Sequence, residues 1–214
     1  MDVRLAFEGE RAVLSALATS ERYARAGLRR AANRAASRLR TRAVKGITGE
    51  WHLKASYVRG RLHVGQAAGG HANAYVRARR RATLTARFPH RQVYRTRKGR
   101  RIKAGVSVRI RRGRGPQRIY SGFLVPLKRG NQSAGSLGQA IAVRTSVLRR
   151  LGKRIDAGSV GGSGARQYQV LHTTSVLEMF REQVERGEVL TDVQRYFLEQ
   201  VDKEMQRAIA RATA

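Results

Sequence analysis

From Arg11 to Ile47, small or apolar residues recur at three- and four-residue steps: Leu14, Leu17, Ala24, Leu28, Ala31, Ala35 and Leu39. This is the period of an amphipathic helix, and Arg22, Arg25, Arg29, Arg30, Arg34, Arg38 and Arg40 fill its other faces. Alanine dominates the stripe, which suits close, shallow packing against a sheet or another helix, and Gly27 is a point where the helix can break. The pattern closes at Gly46 and Gly49, and Leu53 to Val64 reads as a second, short helix.

The period then shortens to two. Ala82, Leu84, Ala86 and Phe88 alternate with Thr83, Thr85 and Arg87, predicting a strand with one buried face. Ile102, Ala104, Val106, Val108 and Ile110 alternate with Lys103, Gly105, Ser107, Arg109 and Arg111, which predicts an apolar face toward the core and a basic face away from it. Val93 to Arg97 precedes Lys98-Gly99, a dipeptide suited to a tight hairpin turn. Ile119 to Leu127 and Gln139 to Thr145 are further strand candidates, with Pro126 favouring an edge or a strand end because it donates no ladder hydrogen bond. Gly/Ser-rich stretches at Gly65–Gly70, Gly130–Gly138 and Gly158–Gly164 read as flexible loops. Beyond them, two capping boxes, Ser175-Val-Leu-Glu178 and Thr191-Asp-Val-Gln194, announce two helices parted by Gly187, the second with a stripe of Phe197, Val201, Met205 and Ala208.

These patterns predict an α+β fold in a single domain spanning 1–214: a small, mostly antiparallel sheet packed by a long N-terminal helix and C-terminal helices. Its parts are a helical segment over 1–64, a basic β-rich body over 73–147, a flexible loop over 148–171 and C-terminal helices over 172–214.

Charge changes that picture most. The 214 residues carry 45 Lys and Arg against 14 Asp and Glu, a formal charge of +31, and the excess is unevenly placed. Residues 51 to 155 contain 27 basic residues and no carboxylate, whereas residues 172 to 214 contain six basic and eight acidic ones. A basic run is most often a solvated face, but so large an uncompensated charge repels itself unless a polyanion or an acidic neighbour supplies compensation. Arg95, Arg97, Lys98, Arg100, Arg101, Lys103, Arg109, Arg111, Arg112 and Arg114 are therefore the candidate polyanion- or partner-facing set. Most are arginine, which pairs bidentately with phosphate or carboxylate. Tyr94 and Tyr120 are expected to pack into the hairpin or core instead of stacking on bases, and Trp51 to be a buried anchor.

Catalytic chemistry finds little to work with. A metal-dependent nuclease needs clustered carboxylates, and Asp156 is the only one between Glu50 and Glu178. Glu178, Glu182 and Glu185 share a helix face that reads as solvated or as a subunit contact. His52, His63, His71, His90 and His172 show no metal-ligand spacing, and the glycine-rich GSVGGSG lacks the Lys-Ser/Thr of a phosphate-binding loop. The expectation is a protein that is not an enzyme, with no cofactor and no metal site. The chain has no cysteine, its N-terminus lacks the pattern of a signal peptide, and its longest apolar run is far short of a membrane span.

The order of several segments carries a resemblance. AANRAASRLRTRAVKGI, LKASYVRGRLHV, ATLTARF, GVSVRIRRGRGPQRIYSGFLVPLKRG and QVLHTTSVLEMF, followed by a last helix, resemble the phage minor tail protein Z family over roughly Ala31 to Ala210. The chain departs from the family's pattern in two places. KRGNQSAGSLGQAIAV replaces a Gly-His-x-Gly-Val-Phe-like turn, and Gln169-Val-Leu-His-Thr-Thr-Ser175 stands where Leu-Pro-Ile and Gly-Pro-Ser are usual. The resemblance implies a tail-terminator- or neck-like fold and a virion structural protein, made in the host cytoplasm and acting in tail completion at the head-proximal end of the tail. It further implies a homo-oligomeric ring, hexameric in form, through which DNA passes, with tail terminator, tail tube and connector proteins as partners. In such a ring the basic strand face would meet DNA or the acidic rim of a neighbouring ring, and the acidic C-terminal helices would pair with the basic body of the next subunit. The alternative reading of the residues is a monomeric, sequence-independent nucleic-acid-binding protein of ribosomal or architectural type.

Overall fold

The computed structural model describes residues 2–4, 21–69, 72–127, 138–152, 160–161 and 167–212. In chain order the elements are β1 (Asp2–Arg4), α1 (Glu21–Glu50), α2 (Ala55–Arg59), β2 (Leu62–Gly65), β3 (Tyr75–Ala78), β4 (Ala82–Leu84), a 3-10 turn (Thr85–Arg87), β5 (His90–Arg97) and β6 (Arg100–Val108). There follow β7 (Gln117–Ile119), β8 (Gly122–Pro126), β9 (Gln139–Arg144), α3 (Thr145–Arg150), β10 (Val160–Gly161), β11 (Tyr168–Val170), β12 (His172–Ser175), α4 (Val176–Glu185) and α5 (Glu188–Ala212). The mixture of helices and small antiparallel sheets is the α+β class expected. The contacts gather into two compact units: one holds 1–48, 54–81 and 176–214, the other 49–53 and 82–175.

In the first unit, α1 runs without interruption through Gly27. Its buried residues Ala24, Leu28, Ala31, Ala32, Ala35, Ala36, Leu39, Ala43, Val44 and Ile47 form a wide stripe of mostly small side chains. Small size is what lets neighbours come close. A Cβ built at Gly27 would sit 3.1 Å from Cβ of Glu204 on α5, and one built at Gly46 would overlap the Gln183 side chain on α4. On α4 and α5, Val176, Leu177, Met179, Phe180, Val193, Phe197, Val201 and Ala208 complete the core. Burying each of the larger of these contributes about 1.5–3 kcal/mol. A three-stranded antiparallel sheet of order β1-β3-β2 belongs to this unit and places Val76 and Leu62 in its core.

Several expectations are corrected here. Leu53–Val64 is half helix and half strand, because α2 stops at Arg59 and β2 begins at Leu62. Thr191 lies inside α5, its hydroxyl donating to the Gly187 carbonyl, so α5 starts a turn earlier than that capping box suggests. Gly187 does part the helices, with φ +80°, and α4 starts directly after Ser175. Residues 11–20 of the expected first helix lie outside the described residues.

The second unit is built of three antiparallel sheets: β10-β11-β9-β8, β12-β4 and β5-β6-β7. Val125, Ala140 and Ala142 form one cluster, flanked by Leu84, Phe123, Leu127, Tyr168 and Val170. Pro126 ends β8, an edge strand, as its missing donor requires. The expected strand over 82–88 is only β4 plus the 3-10 turn, and the faces are inverted at its start, where Thr83 and Thr85 are buried while Ala82 is exposed; Phe88 is buried as expected. Ile119–Leu127 is split into β7 and β8 by a turn at Tyr120-Ser121. The expected loop over 148–171 carries the end of α3 together with β10 and β11, while most of the 130–138 and 158–164 stretches lies outside the described residues.

Candidate polyanion-binding hairpin

The basic stretch folds as expected into a hairpin, and the turn chemistry explains its tip. β5 ends at Arg97, β6 starts at Arg100, and the two residues between them, Lys98 (φ +48°) and Gly99 (φ +70°), both adopt positive φ. That is the two-residue turn whose twist matches a pair of antiparallel strands.

The register below the tip departs from simple alternation. His90, Arg91, Gln92 and Val93 face Val108, Ser107, Val106 and Gly105, but the next residue, Tyr94, faces Lys103. Ala104 is therefore an extra residue on β6, a β-bulge. Gly105 makes it possible: its φ is +119°, and a Cβ there would overlap the backbone carbonyl of Ile119.

A bulge reverses the facing of everything beyond it. Below it, Val106 and Val108 are fully buried, on the face shared with Gln92 and His90. Above it, Lys103 and Arg101 take that face, beside Tyr94 and Thr96, while Ile102 and Arg100 share the opposite face with Arg95 and Arg97. The expectation that Ile102 and Ala104 continue the apolar face of Val106 and Val108 is thus corrected: both are only half-buried. Basic side chains leave the hairpin on both faces.

The candidate residues fall into two groups. Arg95, Arg97, Lys98, Arg100, Arg101, Lys103, Arg109, Arg112 and Arg114 are exposed, the first six of them on the hairpin arm. Arg111 is half-buried, its guanidinium 4.2 Å above the ring of Trp51. Trp51 is 5% exposed, 6.4 Å from Phe88 and bridged by its backbone to Arg111, and is the anchor expected of it. Its indole Nε1 has no hydrogen-bond partner among the described residues. Trp51, Ile110, Arg111, Arg114, Gln117 and Thr173 line a recess of about 240 Å³.

Neither tyrosine enters the core, although Tyr94 packs within the hairpin against Arg101. Tyr94 is 42% exposed and Tyr120 is 74% exposed. Each carries a guanidinium over its ring, Arg101 at 4.1 Å and Arg118 at 4.9 Å. Arg118 also donates to the Ala104 carbonyl at 3.1 Å, tying β7 to the bulge.

No carboxylate pairs with the arm among the described residues. Arg97 and Arg100 face each other directly across the strands, an arrangement of like charges that costs stability. No family model matches the chain. Nor does any curated protein or solved structure.

The first unit treats its arginines differently, and sequence reasoning missed it. On α1, Arg30 and Arg34 reach Glu204 at 2.6 and 2.8 Å, and Arg207 joins them at 3.0 Å. About two turns on, Arg38 and Arg42 each hold Asp192 by two hydrogen bonds of 2.9 Å. The earlier arginines pair with the later carboxylate, so α1 and α5 run antiparallel. The hydrogen bond from Arg38, against the opposing effect of burial and with the help of Arg42, holds the Asp192 carboxyl well below its ordinary range. Burial pushes the Glu204 carboxyl up, but Arg30, Arg34 and Arg207 together bring it below its usual value. Asp192 and Glu204, two of the eight carboxylates in 172–214, are thus engaged within the chain. The signal was present in the strict four-residue spacing of Arg30, Arg34, Arg38 and Arg42.

Among the described residues no helix is long and apolar enough to cross a membrane, and no group of acidic or histidine side chains is placed to hold a metal.

Proposed function

We propose that this chain is a non-enzymatic structural protein of a phage virion, acting in tail completion at the head-proximal end of the tail. Copies assemble there into a ring, hexameric in form, and the basic hairpin of the second unit contacts the DNA that the ring admits. The observation that carries the polyanion contact is the hairpin arm itself: exposed arginines and lysines on both faces, with no carboxylate partner among the described residues. Self-repulsion of this size is relieved when phosphates or another polyanion sit against it. The tail setting rests on the order of segments that resembles the minor tail protein Z family.

Electron microscopy of tails and of head–tail junctions tests the setting; absence of the chain from assembled particles overturns it. The second reading, a monomeric sequence-independent nucleic-acid-binding protein, is favoured by the exposure of Tyr94 and Tyr120 beside stacked arginines. Light scattering separates the two: a ring scatters as a multiple of 23.9 kDa, the rival as 23.9 kDa.

A further inference from the structure

We infer that the arm Tyr94–Lys103 is a groove-inserting ribbon, which enters the major groove of B-form DNA and holds phosphates on both groove walls. This rests on the polyanion-contact part of the function proposed above and specifies how the contact is made.

Three observations define the ribbon. β7 pairs only with Val106–Val108, so past Gly105 the sheet is two strands wide. The bulge at Ala104 turns Arg101 and Lys103 onto one face while Arg95, Arg97 and Arg100 occupy the other. The turn at Lys98-Gly99 adds only two residues, so the tip stays narrow.

The dimensions then decide among nucleic acids. Four residues per strand reach about 14 Å, and the two strands lie about 5 Å apart with side chains standing off both faces. The B-DNA major groove, about 12 Å wide and 8.5 Å deep, admits a two-stranded ribbon, whereas the minor groove, about 6 Å wide, does not. The major groove of A-form RNA is too deep and narrow for side chains to read. A one-faced basic strand would suit a flat surface of phosphates or an acidic protein; two basic faces suit a cleft with two negative walls. Protection of sheet edges from aggregation does not require this many charges, since one or two lysines suffice for that. The contacts assigned to the arm are with phosphates, which carry no sequence information, so binding is sequence-independent and salt-sensitive.

The experiment measures fluorescence anisotropy with the full chain and 30-base-pair duplexes: unmodified DNA, the same DNA with glucosylated 5-hydroxymethylcytosine filling the major groove, and double-stranded RNA. Polyglutamate serves as a non-nucleic polyanion. Expected is tight binding to unmodified DNA, weakened about 1000-fold between 50 and 200 mM salt if about six phosphates are contacted. Groove-filled DNA and RNA should bind at least tenfold more weakly, and a minor-groove drug should not compete. Equal binding of all three duplexes overturns groove insertion. If in that case the variant Arg95→Gln/Arg97→Gln/Arg100→Gln/Arg101→Gln still loses binding, the polyanion-contact reading survives. Unchanged DNA binding by that variant overturns both, and preference for polyglutamate over DNA assigns the arm to an acidic protein instead.

Discussion

Arginine serves two opposite purposes in the two units. On α1, Arg30, Arg34, Arg38 and Arg42 are consumed by the chain's own Glu204 and Asp192, where forked hydrogen bonds of 2.9 Å fix one helix against another. On the hairpin arm the same residue type has no acidic partner among the described residues, stands in solvent on both faces of a narrow ribbon and is partly braced by tyrosine. The lesson is that a count of basic residues predicts partners poorly until internal pairs are subtracted. Four arginines in a row on one helix, which a composition count offers to nucleic acid, are spent inside the fold, and the arginines without internal carboxylates are left for a partner.

The contrast is open to direct attack. The largest effect is expected from Arg95→Gln/Arg97→Gln/Arg100→Gln/Arg101→Gln, which should lower the slope of log affinity for duplex DNA against log salt by about 3 to 4 while leaving the melting temperature unchanged or higher. Next is Gly105→Ala, which places a Cβ against the Ile119 carbonyl at positive φ. A loss of about 3 kcal/mol by urea denaturation is expected, and with it the bulge that sends basic side chains to both faces.

Acid should affect only the paired set. Asp192 and Glu204 are more acidic when folded than unfolded, so their bridges stabilise the first unit above an ordinary carboxylate pKa of about 4, and that support is lost as pH falls below it. Melting temperature followed from pH 6 downward should decline there, and less so in a double Asp192→Asn/Glu204→Gln variant. Glu204→Gln alone should cost about 1–2 kcal/mol: the carboxylate is enclosed, but its arginine partners are 42–60% exposed and screened. Smallest is Tyr94→Leu, which removes the platform under Arg101 and should weaken DNA binding about two- to fivefold by anisotropy.

Much of this architecture was legible from residue order. Lys98-Gly99 marked the hairpin turn because Gly99 accepts positive φ without a Cβ clash, and Pro126 marked a strand end because it lacks a donor. The ten basic candidates stood out by charge alone, and nine of them are exposed. What stayed hidden depends on distant partners. Nothing local to Ala104 announces an extra residue, since the bulge exists only relative to Val93 and Tyr94, and it is what reverses Ile102 and Arg101. Thr83 and Thr85 look polar but are buried, and Tyr94 and Tyr120 look like core but are not, because placement on a face is decided by the neighbouring strands. β2 and β3 were missed as strands, being four residues each and too short to show a period. The pairing of Arg30 with Glu204 joins residues 174 apart, beyond any window of local pattern.

That separation has a consequence for biosynthesis. The whole of 82–175 lies between the two halves of the first unit, so its sheets can close while α5 is still inside the ribosome. Until α5 emerges, Arg30, Arg34, Arg38 and Arg42 lack the carboxylates they hold in the fold, and the nascent chain presents them beside abundant ribosomal RNA. Emergence of α5 is then the event that withdraws one arginine set from competition and leaves the other available.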